Sequence, residues 1–138
     1  MPAFALIVFY GAAKLLAYSA WCYLGLRIVR AAAATTASSL GLGAVRWLIG
    51  VFFGIVAFFM VGSIDARDAA RLYFLVYSPI RALEWGVMAF LVAQRTSSSG
   101  STPRLAVWCL GGILVSFLTD LLSPDGIQGR FCVGRCLC

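Results

Sequence analysis

Residues 77–90 read YSPIRALEWGVMAF, which places a proline, an arginine and a glutamate in the middle of a long apolar run. Pro79 has no N–H to donate to the carbonyl of Leu75, so a helix here would lose one backbone hydrogen bond, in addition to the interruption of the apolar run by charges. Arg81 and Glu84 are spaced i, i+3, which puts both side chains on one face of a helix. The stretch raises the question of what environment holds two charges among apolar residues.

The composition around this stretch is typical of a protein embedded in lipid. The 138-residue chain is 62% hydrophobic and 12% charged, and its mean hydropathy is +0.96. Soluble domains average about 45–50% and about 25%, and they leave roughly a third of the unfolded chain's surface exposed. A single soluble core could not hide this much apolar surface, so a lipid bilayer is the predicted partner.

Apolar runs separated by polar segments predict the fold. Four runs are long enough to cross a hydrocarbon core of about 30 Å, which takes about 20 helical residues. The segments between them are charged or rich in Gly, Ser and Thr, as turns and linkers are, and AAAATTASSLGLG at 31–43 is one of these predicted loops. We predict an all-α, four-helix transmembrane bundle over residues 1–122 and a short cysteine-rich tail over 123–138. The predicted spans are residues 3–26, 47–64, 72–93 and 105–122.

Basic residues near the span ends give a prediction of orientation. Loops rich in Lys and Arg face the cytoplasm. The first and third loops hold one basic residue more than the second loop and tail: Arg27, Arg30, Arg46, Arg95 and Arg104 against Arg67, Arg71, Arg130 and Arg135. We therefore predict a multi-pass integral membrane protein with both termini on the non-cytoplasmic side.

Three charged residues are expected at the same depth. At a rise of 1.5 Å per residue, Lys14 lies about 17 Å into its span, Arg81 about 14 Å and Glu84 about 18 Å. The first and third spans run parallel in either orientation, so this agreement does not depend on topology. Because a lone charge near the bilayer centre costs several kcal/mol, we predict that Lys14 or Arg81 pairs with Glu84 inside the bundle. Asp120 is expected outside this cluster, near the headgroups.

The charged cluster has two functional interpretations. One is a site for a polar or anionic solute, or an ion pathway, in which Lys14 and Arg81 form the positive pole, Glu84 is a titrating carboxylate, and Tyr18 and Tyr77 supply hydroxyls. The other is an ion pair that fixes how helices or subunits dock. Since no known binding motif surrounds the charges, we favour a non-catalytic accessory or scaffold subunit of a membrane assembly, or a homo-oligomer. A small transporter or channel is the alternative.

Glycines and aromatic residues in the spans favour packing and anchoring roles. Gly50 and Gly54 have the GxxxG spacing that permits close helix approach, which predicts helix packing, with a homodimer face as the alternative. Trp47, Tyr73 and Trp108 lie near predicted span ends, where aromatic side chains anchor in the membrane interface. We expect these three to contact lipid.

The five cysteines fall into two groups. Cys22 and Cys109 lie within spans and are expected to be buried as small hydrophobic residues. The others form the tail sequence CVGRCLC and are a candidate disulfide or thiol group. Three thiolates without a fourth ligand make a weak zinc site, so no metal is assigned. This second group is Cys132, Cys136 and Cys138.

Other classes of function lack their usual residues. The chain has no histidine, which is the usual general base at neutral pH and a common metal ligand. Carboxylate pairs and phosphate-binding loops are also missing, so we predict no enzyme and no cofactor. The net charge of +6 is spread over single residues without interleaved stacking aromatics, which argues against nucleic acid and for anionic lipid headgroups.

Overall fold

A computed structural model of the chain describes residues 3–28, 35–61, 69–94 and 102–123. The regular secondary structure within these ranges is entirely α-helical: α1 is Ala3–Ile28, α2 is Thr36–Val61, α3 is Ala69–Ala93 and α4 is Thr102–Asp120. Each helix is long and apolar enough to cross a membrane, with lengths of about 28 to 39 Å at 1.5 Å per residue. The predicted all-α bundle of membrane-spanning helices is confirmed.

The helices pack in chain order around a common axis. Helix α1 lies against α2 and α4, and α3 completes the ring by packing on α2 and α4. Tyr10, near the start of α1, contacts Asp120 at the end of α4, whereas Trp21, near the end of α1, contacts Trp108 near the start of α4. Helices α1 and α4 are therefore antiparallel, as expected for neighbours in an up-down bundle.

The outer surface of the bundle is apolar, and its interior has an apolar half and a charged half along the bundle axis. Large apolar side chains cover the outer surface, as lipid contact requires; they include Leu16, Phe52, Phe59, Leu75 and Leu110. One half of the interior is an apolar core built around Trp85, Met88 and Trp108, all with no exposed surface. The other half holds buried charged side chains, which are described below.

Helix α2 begins at Thr36, well before the predicted start of the second span at residue 47. Thr35 caps this helix: its Oγ1 accepts from the Ser38 N–H at 3.2 Å, and Ser38 Oγ accepts from the Thr35 N–H at 3.1 Å. This reciprocal pair is the hydrogen-bond pattern of a capping box. The prediction of a loop over 31–43 is therefore wrong from Thr36 onward, because the Ser and Thr residues serve a helix start.

The longer α2 changes the prediction of orientation. Arg46, counted above among the basic residues of the first loop, lies inside α2 and has no exposed surface. Without it, four basic residues remain on each side: Arg27, Arg30, Arg95 and Arg104 against Arg67, Arg71, Arg130 and Arg135. The distribution of basic residues then favours neither orientation of the termini.

Two of the aromatic residues expected to contact lipid are buried instead. Trp108 has no exposed surface and Tyr73 has 3%. The indole of Trp108 donates to the carbonyl of Trp21 at 3.3 Å, and the indole of Trp21 donates back to the carbonyl of Trp108 at 3.0 Å. These bonds satisfy both indole N–H groups. Because Trp108 and Tyr73 are both buried, the prediction of lipid anchoring is wrong for these two residues.

Helices α1 and α2 approach closely at Gly43. A Cβ atom on Gly43 would lie 2.8 Å from the backbone N and Cα of Ser19. These are backbone atoms, so they can move away only if the two helices separate. The absence of a side chain at Gly43 is thus required for the observed packing of α1 on α2.

We expect Gly43→Ala to lower the free energy of unfolding by about 1–3 kcal/mol, the usual cost of overpacking. The measurement is unfolding by SDS titration in mixed micelles. Gly41→Ala is the matched control, because a Cβ on the exposed Gly41 would meet no atom within 4 Å. An equal loss in both variants would contradict the assigned contact.

Candidate functional site

Among the described residues, five buried charged side chains alternate in sign along one continuous path, which we call the ionic chain. Its order is Lys14, Asp120, Arg81, Glu84 and Arg46. The four links measure 2.5, 2.8, 2.9 and 2.5 Å between nitrogen and oxygen atoms in that order. Because its members come from α1, α4, α3 and α2, the ionic chain ties these helices together.

Alternation of sign explains how so many charges are held inside an apolar bundle. Lys14 is 9% exposed, and the other members are less exposed still. A buried charge is tolerated when it is paired and hydrogen-bonded, and is costly when it is left alone. Three cations and two carboxylates leave a formal charge of +1. The ionic chain is therefore paired throughout, with one positive charge in excess.

Arg46 is held by hydrogen bonds and by aromatic faces. Its Nη2 donates to Ser116 Oγ at 3.1 Å, and its guanidinium lies 4.8 Å from the ring centre of Tyr18 and 5.2 Å from that of Trp85. Ser116 Oγ also accepts from the Trp85 indole at 3.0 Å and donates to the Gly112 carbonyl at 3.0 Å. The hydroxyl thus uses its donor and both acceptor positions, which fixes the orientation of Arg46.

Asp120 belongs to the ionic chain, so the prediction that it lies outside the cluster is wrong. Besides its pairs with Lys14 and Arg81, it accepts from the hydroxyls of Tyr10 at 3.1 Å and Tyr73 at 2.5 Å. The depth was misjudged because α4 ends level with Tyr10, about 10 Å short of the first residue of α1 at 1.5 Å per residue. The last turn of α4 is therefore enclosed by the longer helices.

The predicted pairing of Arg81 with Glu84 is present at 2.9 Å. Lys14 pairs with Asp120 instead of Glu84, and Arg46 takes the remaining position on Glu84. Both guanidinium groups contact the same oxygen of Glu84, Oε2. Neither guanidinium group pairs with Oε1, the other oxygen of this carboxylate.

A cavity of about 100 Å³ lies between α1, α2 and α3, next to the ionic chain. Its wall includes all the residues predicted as candidates for a ligand or ion pathway: Lys14, Tyr18, Tyr77, Arg81 and Glu84. The sequence placed Lys14, Arg81 and Glu84 near one depth, and the structure brings all five residues around one space. A liquid water molecule occupies about 30 Å³, so the cavity has room for a few waters or one small solute.

Gly50 and Gly54, predicted to serve helix packing, both line this cavity. A Cβ atom on Gly50 would lie 3.1 Å from Arg46 Nη1, 3.8 Å from Glu84 Oε1 and 3.9 Å from Arg81 Nη1. The nearest atoms are thus the charged ends of side chains. The absence of a side chain at Gly50 keeps the space beside these charged ends free.

Several buried polar atoms of the ionic chain lack a hydrogen-bond partner among the described residues. They are Glu84 Oε1, Arg81 Nε, and Nε and Nη1 of Arg46. A buried polar group without a partner costs about 1–3 kcal/mol, and a charged one costs more. Glu84 and Arg81 also line the cavity, so a water or solute that enters the cavity and reaches Glu84 Oε1 would supply its missing partner.

The cysteines take no part in this site as far as the structure describes it. Cys22 is buried, and Cys109 is partly buried with its Sγ donating to the Trp85 carbonyl at 3.4 Å. The candidate disulfide or thiol group, Cys132, Cys136 and Cys138, lies outside the described residues. The prediction for these three cysteines stays a prediction.

Comparison of the chain with protein-family models, with curated proteins and with solved structures gave no match. The ionic chain and the cavity are therefore the features from which we infer a function.

Proposed function

We propose that this multi-pass membrane protein binds a small polar solute in the cavity, without catalysis, as a small transporter or channel does. One observation carries the proposal: the cavity wall combines the cations Lys14 and Arg81 with Glu84, whose buried Oε1 has no partner in the described part of the protein. An ion pair that only docks helices needs neither an adjoining cavity nor an unused acceptor. Intramembrane charges facing a cavity are typical of solute and ion pathways.

A scaffold or accessory subunit, alone or as a homo-oligomer, is the second candidate function. It is favoured by the ionic chain itself, which links all four described helices through paired side chains. In that case the charges serve to fix the helices, and the cavity holds only water. The two functions differ in what happens when the cavity is filled by a side chain.

The test fills the cavity from Gly50. Purified protein in mild detergent is heated with each of four small solutes: hydrogen carbonate, nitrate, urea and sulfate. A ligand present at one hundred times its Kd stabilises the folded state by about 2.7 kcal/mol. We expect at least one solute to raise the Tm of the wild type, to do so less in Gly50→Ala, and to have no effect in Gly50→Leu.

Gly86→Leu is the control for this experiment. Gly86 is exposed on α3, and a Cβ there would meet no atom within 4 Å. It should keep the full response to solute. Gly50→Ala guards against misfolding, because the atom nearest to its Cβ is a side-chain end, Arg46 Nη1 at 3.1 Å, and the next two lie at ordinary contact distances of 3.8 and 3.9 Å. If no solute gives a response that depends on Gly50, the binding function is contradicted and the scaffold function is favoured.

A further inference from the structure

The charge of the ionic chain restricts the solute. Its formal charge is +1, and Lys14 and Arg81 both reach the cavity wall. The other charged residues with described side chains, Arg27, Arg71 and Arg104, are exposed and do not line the cavity. An uncompensated charge in a low-dielectric interior is costly. A monovalent anion would neutralise the cluster, whereas a divalent anion would reverse its sign.

The hydrogen-bond requirements near Gly50 restrict the solute further. Glu84 Oε1 is an acceptor without a partner in the described residues, and Arg46 Nη1 is a donor that also lacks a partner there. Both lie within 4 Å of the Cβ position of Gly50, at 3.8 and 3.1 Å. An ionised carboxylate can only accept hydrogen bonds. An anion without a donor group would face Glu84 Oε1 with repulsion and leave it unpaired.

From these observations we infer that the cavity binds a small monovalent oxyanion that also carries a hydroxyl group, the chemistry of hydrogen carbonate. The anion's oxygens accept from Lys14 and Arg81, and its hydroxyl donates to Glu84 Oε1. The volume of about 100 Å³ matches a solute of a few non-hydrogen atoms, since each water takes about 30 Å³. This inference rests on the proposed function, because it names the solute class of the same cavity.

The test compares three solutes of nearly equal size and planar shape. Hydrogen carbonate has one negative charge and a donor, nitrate has the charge but no donor, and urea has donors but no charge. Their affinities are measured from the concentration dependence of the Tm at mildly alkaline pH. Sodium gluconate, which is too large for the cavity, keeps the ionic strength constant. Wild type and Gly50→Leu are measured in parallel, with Gly86→Leu as the control.

We expect hydrogen carbonate to bind the wild type at least about tenfold more tightly than nitrate, because nitrate leaves the carboxylate oxygen without a partner. Urea should give no response that depends on Gly50. Nitrate binding as tightly as hydrogen carbonate would overturn the requirement for a donor. A preference for urea that depends on Gly50 would overturn the anion class and leave the proposed function standing. Equal responses in wild type and Gly50→Leu for every solute would overturn both.

Discussion

Glu84→Leu is expected to lower the free energy of unfolding by about 3–5 kcal/mol, the cost of removing one partner from a buried ion pair. Glu84 Oε2 is shared by Arg46 and Arg81 at 2.5 and 2.9 Å. Arg81 keeps its pair with Asp120 at 2.8 Å, but Arg46 has no other carboxylate among its contacts in the described structure. The loss therefore leaves the fully buried guanidinium of Arg46 without a counter-ion.

A second substitution separates this electrostatic cause from a loss of packing. In Arg46→Met combined with Glu84→Leu, no unpaired charge remains, since Lys14, Asp120 and Arg81 still form a paired series. Ser116 Oγ keeps its bond from the Trp85 indole. We expect the double variant to regain most of the stability that Glu84→Leu loses, as measured by SDS titration.

The control for this cycle is Arg104→Met, at an exposed position near the start of α4. Surface substitutions of this kind change stability by no more than about 0.5 kcal/mol. If the double variant lost as much as the two single variants added together, Arg46 and Glu84 would act independently. That result would contradict the pairing.

At the other end of the ionic chain, substitutions of Asp120 and Lys14 are expected to change the free energy of unfolding by very different amounts. Asp120→Asn is expected to cost about 3–5 kcal/mol, because it removes the anion that Lys14 and Arg81 share and raises the local charge to +2. Asp120 also lies at the C-terminus of α4, where the helix dipole disfavours a carboxylate unless cations are near. The neighbouring cations are therefore what hold it in place.

Lys14→Met should be tolerated, with a change in unfolding free energy below about 1 kcal/mol. It removes the excess positive charge, and Asp120 keeps Arg81 together with the hydroxyls of Tyr10 and Tyr73. A methionine has a similar volume and a flexible side chain that can fill the space left by lysine. Both variants are measured by the same SDS titration, and equal losses for Lys14→Met and Asp120→Asn would refute this order of charges.

The sequence was sufficient to predict the spanning helices and the charged pair in α3. Spans follow from hydropathy because lipid requires long apolar helices, and the i, i+3 spacing of Arg81 and Glu84 fixes their shared face. Sequence reasoning missed Arg46, because the preceding TASSLGLG has the composition of a loop although it forms the first turns of α2. The spacing of Arg46 and Gly50 at i, i+4 was the available signal.

Asp120 and Ser116 were missed for a different reason. The depth of Asp120 depends on where α4 ends relative to α1, and no property of the α4 sequence sets that offset. The i, i+4 series of Gly112, Ser116 and Asp120 marks one small and polar face of α4, which is a signal that this face lies against neighbouring helices. The partner of each residue on it depends on the rotation of the helices, so it can be read only from the structure.

The claim that the cavity beside the ionic chain binds a small monovalent oxyanion with a hydroxyl group is tested most directly by calorimetric titration of hydrogen carbonate into the purified protein. We expect saturable heat with one site per chain for the wild type and for Gly86→Leu, and no saturable heat for Gly50→Leu. Saturable heat of the same size in Gly50→Leu, or none in the wild type, would contradict it.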